Sequence, residues 1–439
     1  MQVTEGKGSR KGHRLIVTVC AVLLAAGAAG AIACPRAAAP LLWVALVVGG
    51  GTVLRSLFLS VVVRFFRPRP APPTDARPSI ALVIPGLNEI VSLRRTVPAM
   101  MALKYDGELR FCYVLEAAST DGSADYVRAR AAEDPRILPI DKSTPPGGRG
   151  AAVAYGVARA PACDVIGFLD ADHEMDQAAF DELVRVFGQP DPPAAIQGIC
   201  ATIEGPASAF VRLLSLERSW LEAVEVEANP RLGGICLFGG GQGFFRREVV
   251  TSADHLIDEG QILDDIDLAC RLALEGYAIA FDRGIVTRST QPETLGEFAD
   301  QRFRWARGWV QLASKFLRPV LSRPAVAPGA RMDFLRLLVM PFAAALLFVA
   351  FGSGAALLVS CGHHGVPAWL AAFGLLWPFL TGFHPLLTWR GDIRLRDAPL
   401  LLVGVPLLFY AYMGLCAVSV VDAWVLRRPL SYAKTAKHE

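Results

Sequence analysis

Long apolar runs flank a central stretch in which hydrophobic and polar positions alternate. A helix that crosses the hydrocarbon core of a bilayer needs about 20 mostly apolar residues. Five runs come close to that length or exceed it: 15–33, 41–63, 337–360, 367–387 and 398–421. The central stretch, from about Thr74 to Arg318, is the size of one domain. The pattern therefore predicts two membrane spans, a soluble domain and a C-terminal apolar block.

Three short, wholly apolar runs inside the central stretch are typical of buried parallel strands. They cover residues 80–84, 111–115 and 165–169. Helical patterns separate them, which predicts βαβ units and a parallel sheet whose ligands bind beyond the carboxyl ends of the strands. Polar side chains follow the strands there: Asn88 and Glu89, Glu116, and Asp170 and Asp172. We therefore expect one polar pocket at this edge.

Asp170 and Asp172 come directly after the third apolar run, two positions apart. Carboxylate oxygens in this arrangement suit Mg²⁺ or Mn²⁺, which prefer hard ligands and keep water or ligand phosphates in their remaining positions. A polar turn that caps a helix would have the same pattern, so the motif alone leaves both interpretations open.

Two further segments combine glycine or acidic residues with an expected helix start. Residues 145–149 form a Gly-rich loop that ends in Arg149, which is either an ordinary turn or a loop that neutralises phosphate. Asp264, Asp265 and Asp267 crowd the start of another helix, where capping needs one or two acidic groups rather than three. This excess indicates a general base among them. Residues 238–246 are a Gly-rich approach where backbone could come close to a ligand.

Gln301, Arg302, Arg304 and Trp305 form a cationic, aromatic segment close to the C-terminal apolar block. An interfacial helix, with arginines at lipid phosphates and tryptophan at the headgroups, would explain most of it. It explains less well why glutamine and arginines follow an acidic helix.

Composition narrows the class of protein. Hydrophobic residues make up 53% of the 439 residues and charged residues 19%, and the mean hydropathy of +0.38 argues against a wholly water-soluble or disordered chain. The net charge of +3 gives no ground for a nucleic-acid partner. The nine cysteines show no zinc-type spacing, and we interpret them as reduced thiols.

Basic residues near the span ends predict the orientation. The basic N-terminus, together with Arg64, Arg67 and Arg69 after the second span, would place the soluble domain in the cytoplasm; Arg390, Arg394 and Arg396 return to that side. A fifth full crossing would put Arg427 and Arg428 outside. We therefore expect residues 398–421 to be re-entrant or interfacial, unless a crossing is missed. Arg55, inside a span, either lines a polar path or snorkels to the interface.

The motifs occur in an order that resembles the membrane-bound family 2 glycosyltransferases. The segments that carry the resemblance are 80–89, 119–122, 147–151, 168–172, 263–268 and 301–305. The similar branch includes cellulose, chitin, hyaluronan and poly-N-acetylglucosamine synthases and the ceramide-glucosyltransferase-like enzymes. The resemblance implies an α/β GT-A-type nucleotide-sugar-binding domain, with a mostly parallel sheet and flanking helices, inserted between transmembrane helices.

The resemblance also implies roles for matching residues. Asp172 and Asp170 would hold Mg²⁺ or Mn²⁺, and Asp265, with Asp264 beside it, would be the catalytic base. The donor would contact nine residues: Pro85, Glu89, Glu116, Arg149, Asp170, Gln301, Arg302, Arg304 and Trp305. The chain departs from the family where Leu263-Asp264-Asp265 stands for Thr-Glu-Asp and Glu116-Ala117 for Asp-Asp. These differences bear on donor identity more than on catalysis.

The expected organisation is a cytoplasmic N-terminus, two transmembrane helices, a catalytic domain, an interfacial region, a C-terminal transmembrane block and a cytoplasmic tail. The expected bounds are 1–14, 15–66, 75–300, 301–330, 331–424 and 425–439. The resemblance predicts an inverting, metal-dependent enzyme of the plasma membrane that moves a hexose or N-acetylhexosamine from a nucleotide sugar. The favoured donor is a UDP-sugar. The acceptor is a growing polysaccharide or a membrane lipid. The alternative is a membrane-anchored scaffold with a decayed transferase domain.

Overall fold

The structure is a computed structural model that describes most of the chain. The described residues are 4–6, 10–65, 71–145, 147–203, 208–239, 241–252, 260–323, 326–360, 365–381, 394–428 and 433–435. Several positions on which predictions rest lie outside these ranges: Arg67, Arg69, Arg390 and the last part, 382–387, of the fourth predicted span.

Ten strands lie in the described part of the chain. They are β1 Thr4–Gly6, β2 Ile80–Gly86, β3 Leu109–Glu116, β4 Ile137–Lys142, β5 Val165–Leu169, β6 Glu174–Met175, β7 Ala195–Thr202, β8 Gln242–Arg246, β9 Ile279–Ser289 and β10 Ala433–Thr435. Eight of them form one sheet in the order β4-β3-β2-β5-β8-β7-β9-β6. The short strands β1 and β10 pair with each other in parallel.

The central sheet is mixed, with parallel pairing in the majority. Strands β4, β3, β2 and β5 are parallel neighbours, as are β7 and β9. Strand β8 pairs antiparallel with both β5 and β7, and β6 pairs antiparallel with β9. The predicted α/β fold with a mostly parallel sheet is confirmed, and the antiparallel part is an addition to the prediction.

Helices cover both faces of this sheet and extend beyond it. In chain order they are α1 Arg10–Ala33, α2 Pro35–Phe65, α3 Ile90–Met101, α4 Ser123–Ala131, α5 Arg149–Val157, α6 Gln177–Phe187, α7 Ala209–Leu221, α8 Asn229–Arg231, α9 Arg247–Thr251, α10 Asp264–Leu274, α11 Leu295–Ser322, α12 Pro328–Val359, α13 Ala368–Thr381 and α14 Val405–Val420. Wider π-helical turns, Glu222–Ala228, Leu400–Gly404 and Val421–Val425, continue α7 and flank α14.

Two apolar clusters hold the domain together, one on each face of the sheet. Helices α3 and α6 pack on one face, and α5, α10 and α11 pack on the other. The approach of α5 is close, because a Cβ on Gly156 would lie 2.5 Å from Cγ1 of Val83 and 2.6 Å from Cγ2 of Val114. A helix with a glycine at this position can bring its N-terminal residue, Arg149, close to the sheet edge.

Four described helical segments are long and apolar enough to cross a membrane. They are Ile16–Ala33, Pro35–Phe65, Pro328–Val359 and Leu400–Val425, and α13 is a shorter apolar helix. The predicted runs 15–33, 41–63, 337–360 and 398–421 therefore fall on long apolar helices.

A polar network joins the domain to the membrane helices. Arg55 of α2 donates to Glu225 at 2.7 Å and to Asn229 at 2.8 Å. Arg336 of α12 donates to the same glutamate at 2.7 Å and to Asp333 at 2.9 Å. Arg55, a cation inside an apolar run, thus forms an ion pair with Glu225 at the junction between the domain and the membrane helices.

Candidate active site

Arg149 joins two acidic segments that are far apart in sequence. It is the first residue of α5, directly after Gly148, whose φ of 96° few residues with a side chain adopt. Its Nε donates to Oδ1 of Asp170 at 2.5 Å, and its Nη1 donates to Oδ2 of Asp264 at 2.5 Å. One guanidinium therefore brings the Asp-x-Asp turn and the acidic helix into a single site.

The Asp-x-Asp turn follows the carboxyl end of β5, as the sequence predicts. Ligand atoms of Asp170, Asp172 and His173 all lie within 4.8 Å of one another. Gly241, at φ +73°, lies against the Asp-x-Asp turn. A Cβ at this position would come within 2.1 Å of Oδ2 of Asp170, so only glycine leaves this carboxylate room. The two carboxylates and the room kept by this glycine fit Mg²⁺ or Mn²⁺, which bind hard oxygen ligands.

Electrostatics favour a charged carboxylate at Asp170. Burial would raise its pKa, but the guanidinium of Arg149 and the neighbouring His173 outweigh burial, and the pKa lies below its usual range. An ionised Asp170 is what a cation site requires.

The three carboxylates of α10 have different surroundings. Asp264 is buried against Arg149, and burial raises its pKa in spite of that partner. Burial, together with the charge of Asp264, raises the pKa of Asp265 to about 7. Asp267 is paired with Arg271 and with Lys315, each at 2.5 Å. Asp265 therefore has the properties of a base that works near neutral pH, whereas Asp267 fixes α10 to α11.

Helix α11 supports the start of the acidic helix. Gln311 accepts from the N–H of Ile262 at 3.0 Å and donates to the carbonyl of Gly260 at 2.9 Å. A Cβ on Gly308 would lie only 2.4 Å from Cγ of Leu263, so the two segments are in close contact. Neither Gln311 nor Gly308 was predicted from the sequence, although both recur at helical spacing after Gln301 and Arg304 on one face of the helix.

Arg302 lies in a different environment from the rest of its motif. It is buried, donates to Glu217 of α7 at 2.5 Å and stacks over the Trp305 ring at 4.3 Å. Gln301, Arg304 and Trp305 are half-buried on the same helix. Arg302 therefore joins α11 to α7, while its predicted contact with the donor stays untested.

Glu116 is engaged at the end of β3. Its Oε2 accepts from Nζ of Lys142 at 3.1 Å, and both side chains are buried. The same ammonium donates to the carbonyls of Thr144 and Pro145, at the start of the loop before Arg149. Burial raises the pKa of Glu116 in spite of Lys142. The pair shapes the Gly-rich loop, a role that no local sequence signal for Lys142 could have revealed.

Pro85 and Glu89 lie at the carboxyl end of β2 and in the turn after it. Pro85 is in register with Val114 of β3. Glu89 is buried and accepts from Ser92, and its own N–H donates to Ser123. These contacts join the turn after β2 to the turn after β3, so both predicted donor contacts lie at the expected edge of the sheet.

Comparison with known proteins identifies the family of the central domain. The sequence profile of the family described as "Glycosyltransferase like family 2" matches residues 78–308. The chain is 26% identical over 242 residues to the probable glycosyltransferase YdaM of Bacillus subtilis (strain 168), covering 55% of this chain and 57% of that one. It is 25% identical over 235 residues to the poly-beta-1,6-N-acetyl-D-glucosamine synthase of Staphylococcus aureus (strain COL), covering 53% and 55%.

A third relative is plant-derived and longer. The chain is 24% identical over 250 residues to the probable glucomannan 4-beta-mannosyltransferase 7 of Oryza sativa subsp. japonica, covering 56% of this chain and 43% of that one. The chain thus spans about half the length of the curated relatives that it matches.

A solved structure shares the fold across most of the chain. It is the mannosyltransferase PcManGT from Pyrobaculum calidifontis, in complex with GDP-Man and Mn²⁺, with a TM-score of 0.62 and 20% identity over 88% of this chain and 99% of that chain. The fold and the resemblance inferred from the motifs are confirmed. Because the family profile covers more than half of the chain, the chain belongs to glycosyltransferase-like family 2.

Proposed function

We propose that the chain is a membrane-embedded, inverting glycosyltransferase. It moves a hexose or N-acetylhexosamine from a nucleotide sugar to a growing polysaccharide or a membrane lipid. A UDP-sugar is the favoured donor. The observation that carries this proposal is Arg149, whose guanidinium binds both Asp170 and Asp264. The proposed cation site at Asp170 and the start of α10, which carries the proposed base, are both bound to this guanidinium. They therefore lie close enough to act on one substrate.

The acceptor hydroxyl loses its proton to Asp265 in this proposal. Its raised pKa of about 7 makes this carboxylate a stronger base than an ordinary aspartate and still leaves a large ionised fraction at neutral pH. The acceptor oxygen then attacks the anomeric carbon from the side opposite the departing diphosphate, so the anomeric configuration inverts.

The negative charge on the departing diphosphate must also be stabilised for the transfer to proceed. Asp170 and Asp172 would hold Mg²⁺ or Mn²⁺, which when bound supplies Lewis-acid stabilisation of that charge. Arg149 lies beside them at the N-terminus of α5, and Arg304 lies on α11. Guanidinium groups bind phosphate oxygens with directed, charge-assisted hydrogen bonds. Both arginines would bind and orient the diphosphate.

The relatives support the class of donor and acceptor. PcManGT was solved with GDP-Man and Mn²⁺, and two relatives are named as a polysaccharide synthase and a glucomannan mannosyltransferase. A nucleotide-sugar donor and a divalent cation are therefore the first candidates for this chain. The replacement of two family carboxylate positions by Glu116-Ala117 leaves UDP- and GDP-sugars both to be tested.

The membrane arrangement is part of the proposal. The last apolar helix, Leu400–Val425, has a domain contact near each end, where Asp397 pairs with Arg212 of α7 at 2.5 Å and Asp422 pairs with Arg307 of α11 at 3.7 Å. A helix that crossed the bilayer would have its two ends on opposite sides of the membrane, and only one end could then contact the domain. The middle of this helix packs against α12 and α13. We propose that it does not cross the bilayer and lies between the domain and these membrane helices, at the cytoplasmic side of the plasma membrane.

Pairing of the two chain ends supports the same arrangement. Strand β1, residues 4–6, pairs with β10, residues 433–435, so these two segments lie on one side of the membrane. That agrees with two crossings before the catalytic domain, an interfacial region over 301–330 and a cytoplasmic tail after 424.

A donor screen tests the proposal. Purified protein in nanodiscs is incubated with UDP- and GDP-sugars, with and without a lipid extract, and released nucleoside diphosphate is measured before the product is sized. We expect release with at least one donor in Mg²⁺ or Mn²⁺ and its loss in excess EDTA. Undiminished release in EDTA would contradict the cation site, and no release with any donor would favour the scaffold alternative.

A further inference from the structure

A chain of buried polar side chains lies directly behind the Asp-x-Asp turn. Nδ1 of His173 is 3.3 Å from Oδ1 of Asp172, and Nε2 of the same ring is 3.3 Å from Sγ of Cys200. The thiol is in turn 3.2 Å from Oγ of Ser289. All four side chains are buried. Polar contacts in such surroundings persist because water cannot replace them.

The sheet fixes the outer end of this chain. Cys200 lies on β7 and Ser289 on β9, and these strands are neighbours in which Cys200 is in register with Thr287. The backbone N–H of Cys200 also donates to Glu222 at 3.2 Å. The thiol therefore has a fixed position, from which it can fix the His173 ring.

Both carboxylate oxygens of Asp172 have a partner. Oδ1 faces His173, and Oδ2 accepts from Oγ1 of Thr290 at 3.4 Å. The ring itself has a contact at each nitrogen, so it can turn only if one of them is given up. A carboxylate that binds a metal needs this kind of support, because its orientation sets the direction of its ligand atom.

We propose that Cys200 is a positioning residue that acts through His173 to orient Asp172 toward the divalent cation. The inference rests on the proposed function, since it concerns the same cation. The cation would contact Asp172, and Cys200 lies two side chains behind it. If His173 were itself a metal ligand, one of its ring nitrogens would have to lose its contact with Asp172 or with Cys200.

Mn²⁺ binding, rather than turnover alone, tests this role. Mn²⁺ is titrated into the full-length protein in nanodiscs in the presence of UDP, and in a second series GDP, with free Mn²⁺ read by electron paramagnetic resonance. Cys200→Ala is expected to weaken Mn²⁺ binding by about tenfold, the lower end of the effect of removing an outer-shell partner. Excess Mn²⁺ should then restore most of kcat.

Three variants separate positioning from general damage. Cys200→Ser keeps a hydrogen-bond donor for the ring and is expected to bind Mn²⁺ nearly as wild type does. Cys112→Ala removes a thiol buried in the apolar core of β3 and should leave Mn²⁺ affinity unchanged. Ser289→Ala removes the outer contact and gives a smaller loss in the same direction, which serves if Cys200→Ala does not fold.

The outcomes distinguish the inference from the function on which it rests. Wild-type protein that binds no Mn²⁺ with either nucleotide overturns the cation site and the inference together. Wild-type binding with unchanged affinity in Cys200→Ala and Ser289→Ala overturns the inference alone, as does a fall in melting temperature without a fall in Mn²⁺ affinity. Loss of all Mn²⁺ binding in His173→Ala, with Cys200→Ala unaffected, would make His173 a ligand and overturn the positioning role.

Discussion

At the scale of single residues, Arg149 and Asp265 determine the chemistry that we propose. Arg149 is the shared partner of Asp170 and Asp264, and an incoming diphosphate would compete with these carboxylates for its donors. Asp265 is next to this group, and its pKa of about 7 follows first from burial and then from the charge of Asp264. Only Asp264 forms an ion pair with Arg149 among the described contacts of these two neighbouring aspartates, and we propose separate roles for them on that basis.

The pH dependence of turnover follows from the pKa of Asp265. A base acts only when it is deprotonated, so kcat/KM is expected to rise with pH through about 7 and to fall about tenfold for each unit below it. Initial rates between pH 5 and pH 9 (roughly the range that spans this pKa) check this. A profile with no decrease below pH 7 would argue against Asp265 as the base.

At the scale of elements, helix α11 holds the acidic helix at the sheet edge. Gln311 binds the backbone of residues 260 and 262, Gly308 contacts Leu263, and Lys315 pairs with Asp267. The motif that contains Gln301, Arg304 and Trp305 therefore belongs to a helix that also fixes the start of α10, where Asp265 lies.

Gly308→Val tests that second task. The added side chain would overlap Leu263, where even a Cβ lies within 2.4 Å, and overpacking of this kind costs about 1–3 kcal/mol. We expect kcat to fall while donor affinity changes little, because the start of α10 moves. Gly51→Ala in α2, where a Cβ meets nothing within 4 Å, is the control. Normal kcat in a folded Gly308→Val protein would show that α11 does not position the base.

The elements also show how far sequence reasoning reaches. The apolar runs 80–84, 111–115 and 165–169 became β2, β3 and β5 because strands buried on both faces leave an unbroken apolar pattern. Strand β9 was missed because Asp282, Arg283 and Arg288 interrupt it. Such a strand is fixed by its pairing with β7 rather than by its own pattern.

The candidate site divides in the same way. The motifs predicted Asp170, Asp172, Asp264 and Asp265, because a turn after a strand and a helix start are local features. The partners of Arg302, Glu116 and His173 were not predicted. Glu217, Lys142 and Cys200 meet them through tertiary packing, which spacing in the sequence does not encode.

At the scale of the whole molecule, the domain and the membrane helices are joined by ion pairs as well as by apolar packing. Arg55 and Arg336 share Glu225, and the last apolar helix meets Arg212 and Arg307. The contacts place the face of the domain formed by α7 and α11 against the membrane helices. In the proposed function, an acceptor held in the bilayer would approach the domain from this face.

The position of the chain end tests the proposed membrane arrangement. We expect a C-terminal green fluorescent protein fusion to be fluorescent and a C-terminal alkaline phosphatase fusion to be inactive, since the tail would remain on the cytoplasmic side. A phosphatase fusion after Val366, in the link that follows α12, is the control for the opposite side. An active phosphatase at the C-terminus would contradict this arrangement, in which α13 crosses the bilayer and the helix Leu400–Val425 does not.

The most direct test of the central claim compares wild type with Asp265→Asn in the same nanodiscs. The account predicts that donor binding, measured by calorimetry with Mn²⁺ present, is nearly unchanged, while nucleoside diphosphate release falls by roughly 10²–10⁴-fold, as for loss of a general base. Wild-type release by Asp265→Asn would contradict the claim that the acidic helix beside Arg149 acts on a sugar donor held at the Asp-x-Asp turn.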